Sequence, residues 1–232
     1  MAKKKKSSTW LSPTKQREAE IKRKELRKKR NIKLMAILLA IAVVVGVIVF
    51  CVKLATRPYY ADIEIKYTID GKEHTGIVTI WLRNDYAPIT AKNFVKLAKQ
   101  GYYNGKTFGK IVAGSYMMGG SAVSEEEKAS LSPIFGEFAN NGRADNSILH
   151  ERGIVSMVLD DSTNNNSATS TFMILRKDIT SLDGKQAAFG VVIGGMDIVD
   201  AICDNAKATD NQGTIPAEAQ PTIVSVSIRR SK

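Results

Sequence analysis

Residues 182–202 read LDGKQAAFGVVIGGMDIVDAI, and the folding of this stretch decides the rest. Residues 187–193 form an apolar run of strand length, and just beyond it Ile198, Val199 and Ile202 recur on one face of a short helix. Working outward, 153–159 and 171–175 are two more apolar runs that read as buried strands, on either side of the polar DDSTNNNSATS. Residues 223–228 alternate as a closing strand. Upstream, Ile63, Ile65 and Tyr67 alternate with Asp62, Glu64 and Lys66, Asp70-Gly71 marks a turn, and 77–82 resumes the strand; this is a hairpin. From Pro88 the period becomes helical, with Ala91, Phe94, Val95 and Ala98 on one face and Gly101 just past the end. Residues 107–112 and 116–118 are short strands bent at Gly114 and ended by Gly119-Gly120, while 121–150 read mostly as loop around one short apolar stretch, 134–138. Many strands, two helices and no β-α-β alternation predict a mainly β fold, a closed antiparallel barrel with helices over its ends.

A second stretch sets the location. Residues 34–52, LMAILLAIAVVVGVIVFCV, hold no charge over 19 positions, which in a helix spans roughly 28 Å, close to the thickness of a bilayer's hydrocarbon. Residues 1–33 carry 14 Lys and Arg against three Glu, whereas the far flank offers Lys53 and Arg57. The basic end is expected to stay in the cytoplasm, with residues 58–232 outside and Tyr59 and Tyr60 at headgroup level. A cleaved signal peptide fits less well: the polar leader exceeds thirty residues and no small-x-small site follows Val52. The expected organisation is a basic cytoplasmic leader (1–33), a single transmembrane helix (34–52), a juxtamembrane linker (53–60) and one domain (61–230).

Residues 58–232 carry 18 basic and 20 acidic side chains. The net charge of +11 therefore belongs to the leader, and the outer domain is not a nucleic-acid binder by charge. KKKK at 3–6 and KRKELRKKR at 22–30 read as a polybasic segment resting on anionic lipid headgroups. Residues 1–31 are expected to be solvated or partly helical. The two cysteines, Cys51 and Cys203, allow no disulfide framework within the domain, and Cys203 reads as a small buried hydrophobe. His74 and His150 have no Cys, Asp or second His at ligand spacing, so no metal site is expected. No serine, histidine and acid stand out as a nucleophilic set.

Four phrases in this order, NFVKLAKQGYYNGKTF at 93–108, HERGIVSM at 150–157, the 182–202 stretch and PTIVSVSI at 221–228, resemble the cyclophilin-type peptidyl-prolyl isomerases over about 61–230. The resemblance implies an eight-stranded barrel with two capping helices, and an isomerase that needs no cofactor and acts on proline-containing polypeptides. Rotation about a peptide C–N bond faces roughly 18–20 kcal/mol of lost resonance, and X-Pro bonds isomerise in tens to hundreds of seconds. The family favours the twisted amide with an apolar pocket for the proline ring, polar groups on the flanking backbone and an arginine near the prolyl nitrogen.

Carried onto this sequence, the arginine position is Lys110, a point charge without the guanidinium fork. Ser115-Tyr116-Met117-Met118 stands for Phe-Met-x-Gln, so Ser115 replaces the pocket phenylalanine and Met118 the backbone-holding glutamine. Thr171 replaces a second glutamine and Met173 the pocket-floor phenylalanine. Leu182 matches outright, while Ser181 and Gln186 stand where tryptophan or histidine is common, and Val158-Leu159-Asp160 replaces a small polar ledge. The resemblance thus implies catalysis by Lys110 with substrate held by Ser115, Tyr116, Met118, Thr171, Met173, Leu182 and Gln186, in a membrane-held isomerase that assists folding of extracytoplasmic proteins. The alternative is a weak or inactive module that binds proline-containing segments or a membrane partner.

Overall fold

The computed structural model describes the backbone of residues 13–55 and 58–230. Residues 1–12 of the leader, Thr56 and Arg57 of the linker and the side chain of Cys51 lie outside the described residues. The chain separates into two units, residues 1–56 and 57–232.

The first unit is one helix, α1 (Pro13–Ala55). It contains the whole uncharged run and is long and apolar enough to cross a bilayer. Ile37, Leu38, Leu39, Val43, Val47 and Ile48, which lie on every side of the helix, are all exposed, so this part of the helix is apolar all round. The basic segment expected to be solvated or partly helical is helical from Pro13 on. Its Lys, Arg, Glu and Leu are good helix formers, and Glu20 pairs with Lys24 one turn on at 3.4 Å.

The second unit is built on eight antiparallel strands: β1 (Tyr59–Ile69), β2 (Lys72–Leu82), β3 (Lys110–Val112), β4 (Tyr116–Gly119), β5 (Ile154–Met157), β6 (Phe172–Leu175), β7 (Ala187–Gly194) and β8 (Thr222–Arg230). Their order is β3-β4-β6-β5-β7-β2-β1-β8. The β1–β2 hairpin turns on Asp70 and Gly71, both at positive φ (50° and 77°), as a two-residue turn matching strand twist requires. The two edge strands meet through the segment before β3: Gly105 N donates to Ile223 O (2.8 Å), Ile223 N to Lys106 O (2.7 Å) and Phe108 N to Pro221 O (2.9 Å).

Strand alternation divides the side chains into two apolar clusters. Ile63, Ile65, Val78, Ile80, Ile111, Met117, Val155, Phe172, Ile174 and Phe189 fill the interior. Helix α2 (Pro88–Lys99) closes over that core with Phe94, whose ring lies 5.5 Å from Phe172 edge-on and 5.4 Å from Phe189. Helix α4 (Met196–Asn205) adds Val199, Ile202 and Cys203. Cys203 is fully buried as expected, and burial pushes its thiol up to about 11, so it stays protonated and inert.

No side chain of α2 caps its own N-terminus. The carboxylate of Glu137, fully buried and 47 residues downstream, accepts from Thr90 N and Thr90 Oγ1 (both 2.8 Å) and from Ile89 N (3.1 Å). The 121–150 segment, read as mostly loop, also holds a short helix, α3 (Glu125–Ser130). It lacks an apolar face, so periodicity does not report it. Local capping makes it: Ser124 Oγ accepts from Glu127 N (3.2 Å) and Glu127 Oε2 from Val123 N (2.7 Å).

Candidate active site

The second cluster lies on the outer face of the sheet. Met173, Leu175, Ile154 and Ala188 are buried there, with Tyr116, Met118, Leu182, Val158, Ile179 and Val191 packed around them. Ladder register sets who meets whom. Lys110 is opposite Met118, Met118 opposite Met173, Met173 opposite Ser156 and Ser156 opposite Ala188, one row across β3, β4, β6, β5 and β7. Directly opposed residues have Cβ atoms about 5 Å apart, so the half-buried Lys110 stands at one end of a thioether floor made by Met118 and Met173. Gly119 lets Phe108 sit under this wall: a Cβ there would come within 2.7 Å of both Phe108 Cδ1 and the Thr107 carbonyl.

The structure therefore brings together Lys110, Met118 and Met173 on one row, with Tyr116 and Leu182 in the same cluster. The other three sequence candidates stand apart from it. Ser115 immediately precedes β4, and its carbonyl accepts from Arg176 N (2.8 Å). Gln186 immediately precedes β7, and its Oε1 is buried without a hydrogen-bond partner among the described residues. Thr171 is 7% exposed and turns to a neighbouring polar cleft, its Oγ1 3.2 Å from Ser121 Oγ. That cleft, about 280 Å³, is walled by Ser121, Ser124, Glu125 and Lys128 on one side and Asp160, Thr169 and Thr171 on the other. Its α3 wall escapes sequence reading for the reason given above.

A polar chain supports the row from beneath. His150, 1% exposed, donates from Nδ1 to Asp183 Oδ1 (3.0 Å) and accepts at Nε2 from Ser156 Oγ (3.0 Å). Asp183 Oδ1 also accepts from His150 N (2.7 Å), and Ile179 N donates to His150 O (2.8 Å), so the turn carrying Leu182 is pinned to the strand carrying Ser156. Burial holds the imidazole below its usual pKa against the pull of Asp183, which fixes the neutral tautomer. The chain joins residues far apart in the sequence, which no spacing rule connects. Ser156 is fully buried, so its hydroxyl is a strut with no access to substrate.

Residues 65–228 match the family described as cyclophilin type peptidyl-prolyl cis-trans isomerase/CLD. The chain belongs to the cyclophilins. A peptidyl-prolyl cis-trans isomerase of Acinetobacter baylyi is 35% identical over 167 residues, 69% of this chain and 85% of the relative. Peptidyl-prolyl cis-trans isomerase A of Dickeya dadantii is 34% identical over 144 residues, 60% and 70% of the two chains. Among solved structures, a cyclophilin type isomerase of Cryptosporidium parvum superposes with a TM-score of 0.58 at 21% identity, over 75% of this chain and 99% of its own. The same protein was also solved in the presence of the dipeptide Ala-Pro, with a TM-score of 0.57. The cyclophilin fold accounts for the eight strands and the two helices over the core, and peptidyl-prolyl isomerisation is the activity of the family.

Proposed function

We propose that the outer-face groove is the isomerase site and that it works on proline-containing stretches of polypeptides outside the cytoplasm, from a barrel held at the membrane by residues 34–52. The observation that carries this reading is the Lys110–Met118–Met173 row: one cation at the rim of a deformable apolar floor. The proline ring lies on Met118, Met173, Leu182 and Tyr116. As the C–N bond twists, resonance breaks and the prolyl nitrogen regains its lone pair. The Lys110 ammonium donates to that lone pair, an interaction absent from either planar form and therefore one that lowers the barrier. Thr171 and Ser115 flank the path of the chain. The dipeptide used with the Cryptosporidium relative has the minimal chemistry of such a substrate.

The basic leader then lies on anionic headgroups of the cytoplasmic leaflet, and tethering raises the effective concentration of the barrel near chains emerging on the other side. A binding role without catalysis draws support from Met118 and Thr171, which supply no amide to hold the substrate backbone.

A protease-coupled isomerisation assay on residues 58–232 decides between them. Acceleration above the uncatalysed rate is expected, with Lys110→Ala lowering kcat/KM by about 100- to 1,000-fold, the usual effect of removing one donor aimed at the transition state. No acceleration, with methionine methyl NMR shifts still seen on adding a proline peptide, would leave the binding role alone. A Lys110→Ala protein as active as wild type would remove Lys110 from the mechanism. Alkaline-carbonate extraction and protease accessibility of the barrel in intact cells test the anchor and its orientation.

A further inference from the structure

The floor of the outer-face groove is sulfur, where the family pattern has a glutamine and a phenylalanine. The methionines of the barrel differ sharply in access. Met117 points from β4 into the interior and is 0% exposed, Met157 is 1% exposed and Met173 2%. Met118, one residue further along β4 and so on the opposite face, is half-buried at the rim of the groove cluster. Met196, at the start of α4, is also half-buried but packs against the interior cluster. Met118 is thus the thioether of the groove that a small solute reaches. Across the ladder it faces Lys110 on one side and Met173 on the other. Lys110 forms no salt bridge among the described residues, so its ammonium is free to take a new acceptor.

From this we infer that Met118 is an oxidation site, through which a peroxide reversibly switches the isomerase off. The inference rests on the proposed assignment of the groove as the isomerase site. The Met118 sulfur attacks one oxygen of hydrogen peroxide, and the S–O bond forms as the O–O bond breaks. The proton on the transferred oxygen passes to the departing hydroxide, which leaves as water; sulfur gives up an electron pair and the peroxide is reduced by it. The product is a sulfoxide, a polar and chiral group in place of a flexible apolar one. Two losses follow. The proline ring must now displace water from a polar oxygen on the floor that held it. Directly opposed residues have Cβ atoms about 5 Å apart, so the Lys110 ammonium donates to the partly negative sulfoxide oxygen instead of to the prolyl nitrogen. Glutamine and phenylalanine undergo no such step, which makes the sensitivity a property of this chain's own substitutions. Cys203, the barrel's cysteine, does not compete, because it is fully buried and its thiol stays protonated.

The test treats the full chain in detergent micelles with millimolar hydrogen peroxide, stops the reaction with catalase at intervals, and follows each methionine by peptide mass spectrometry beside the protease-coupled assay. Met118 should gain oxygen about tenfold faster than Met117, Met157 and Met173, and a saturating proline peptide should slow Met118 but not Met196. In step with Met118 sulfoxide, kcat/KM should fall about tenfold. Methionine sulfoxide reductases should restore it, whereas dithiothreitol alone, which reduces oxidised thiols, should not. Met118→Leu, compared with its own untreated activity, should lose nothing on the same treatment. An active chain whose Met118 stays reduced, one whose activity survives full conversion of Met118, or a Met118→Leu protein that loses as much as wild type would overturn the switch and leave the groove assignment standing. Should the untreated chain bind a proline peptide without isomerising it, the sulfoxide should weaken that binding about tenfold in methionine methyl NMR titrations, and unchanged affinity would overturn the inference. A chain that neither isomerises nor binds removes the groove assignment, and the inference with it.

Discussion

The Glu137 carboxylate at the start of α2 gives a sharp test of the energetics. It is fully buried and receives three hydrogen bonds, two from backbone N–H groups that no intrahelical partner satisfies and one from the Thr90 hydroxyl. Glu137→Gln keeps the shape but loses the charge. Its amide oxygen accepts from at most two of the three donors, and its NH2 is forced toward another N–H. Charge-assisted bonds exceed neutral ones by about 1 kcal/mol, and an anion at a helix N-terminus contributes about 0.3–2 kcal/mol more. Glu137→Gln should therefore cost about 2–3 kcal/mol. Glu137→Ala, which leaves all three donors buried without a partner, should cost about 4–5 kcal/mol. In a domain of this size the glutamine variant's loss lowers Tm by roughly 5–10 °C. Thermal unfolding of residues 58–232 followed by circular dichroism at neutral pH, with urea melts for the free energies, measures both. If the two variants lose the same amount, or either loses less than about 1 kcal/mol, the carboxylate is not what holds this helix end.

Other outcomes follow from the same geometry. Lys110→Arg should raise kcat/KM, because the guanidinium fork offers two aimed donors where the ammonium offers one; an unchanged or lower value in the protease-coupled assay argues against Lys110 acting at the prolyl nitrogen. His150 has a lowered pKa in the fold, so the unfolded chain binds its proton more readily. Its contribution to stability is complete above the unfolded value of about 6.5 and drains away as pH falls toward the folded one. Melts between about pH 7 and 4.5 should show a falling Tm in the wild type and a flatter profile in His150→Gln. Gly119→Ala should destabilise by about 2–3 kcal/mol, since the added methyl meets the immovable Thr107 carbonyl as well as Phe108; a neutral urea melt would show that this wall yields.

Much of this barrel is written locally. The Asp70-Gly71 hairpin, the apolar runs of β5, β6 and β7 and the amphipathic α2 carry period and punctuation within ten or so residues, and the structure places each where that pattern puts it. The helix α3 carries no apolar stripe, and only the Ser124 to Glu127 cap spacing marks it. Grouping Lys110, Met118 and Met173 from sequence needs the family resemblance, because their adjacency depends on register across three strands, which no local signal encodes. The same holds for Glu137 at α2 and for the Asp183–His150–Ser156 chain, whose members lie too far apart for spacing rules to connect. Thr171 shows the limit of carrying positions over: its place in the chain matches, but its hydroxyl turns to the neighbouring cleft.

The placement of β1 has a mechanical consequence. The chain enters the barrel at Tyr59, and the strand it enters is paired with β2 along its whole length and with β8 from Tyr59 to Lys66. A client tugging on the barrel would therefore load two long ladders lengthwise, so that many bonds share the force, instead of peeling one rung at a time. A fold whose first strand lay at a sheet edge would unzip under the same pull.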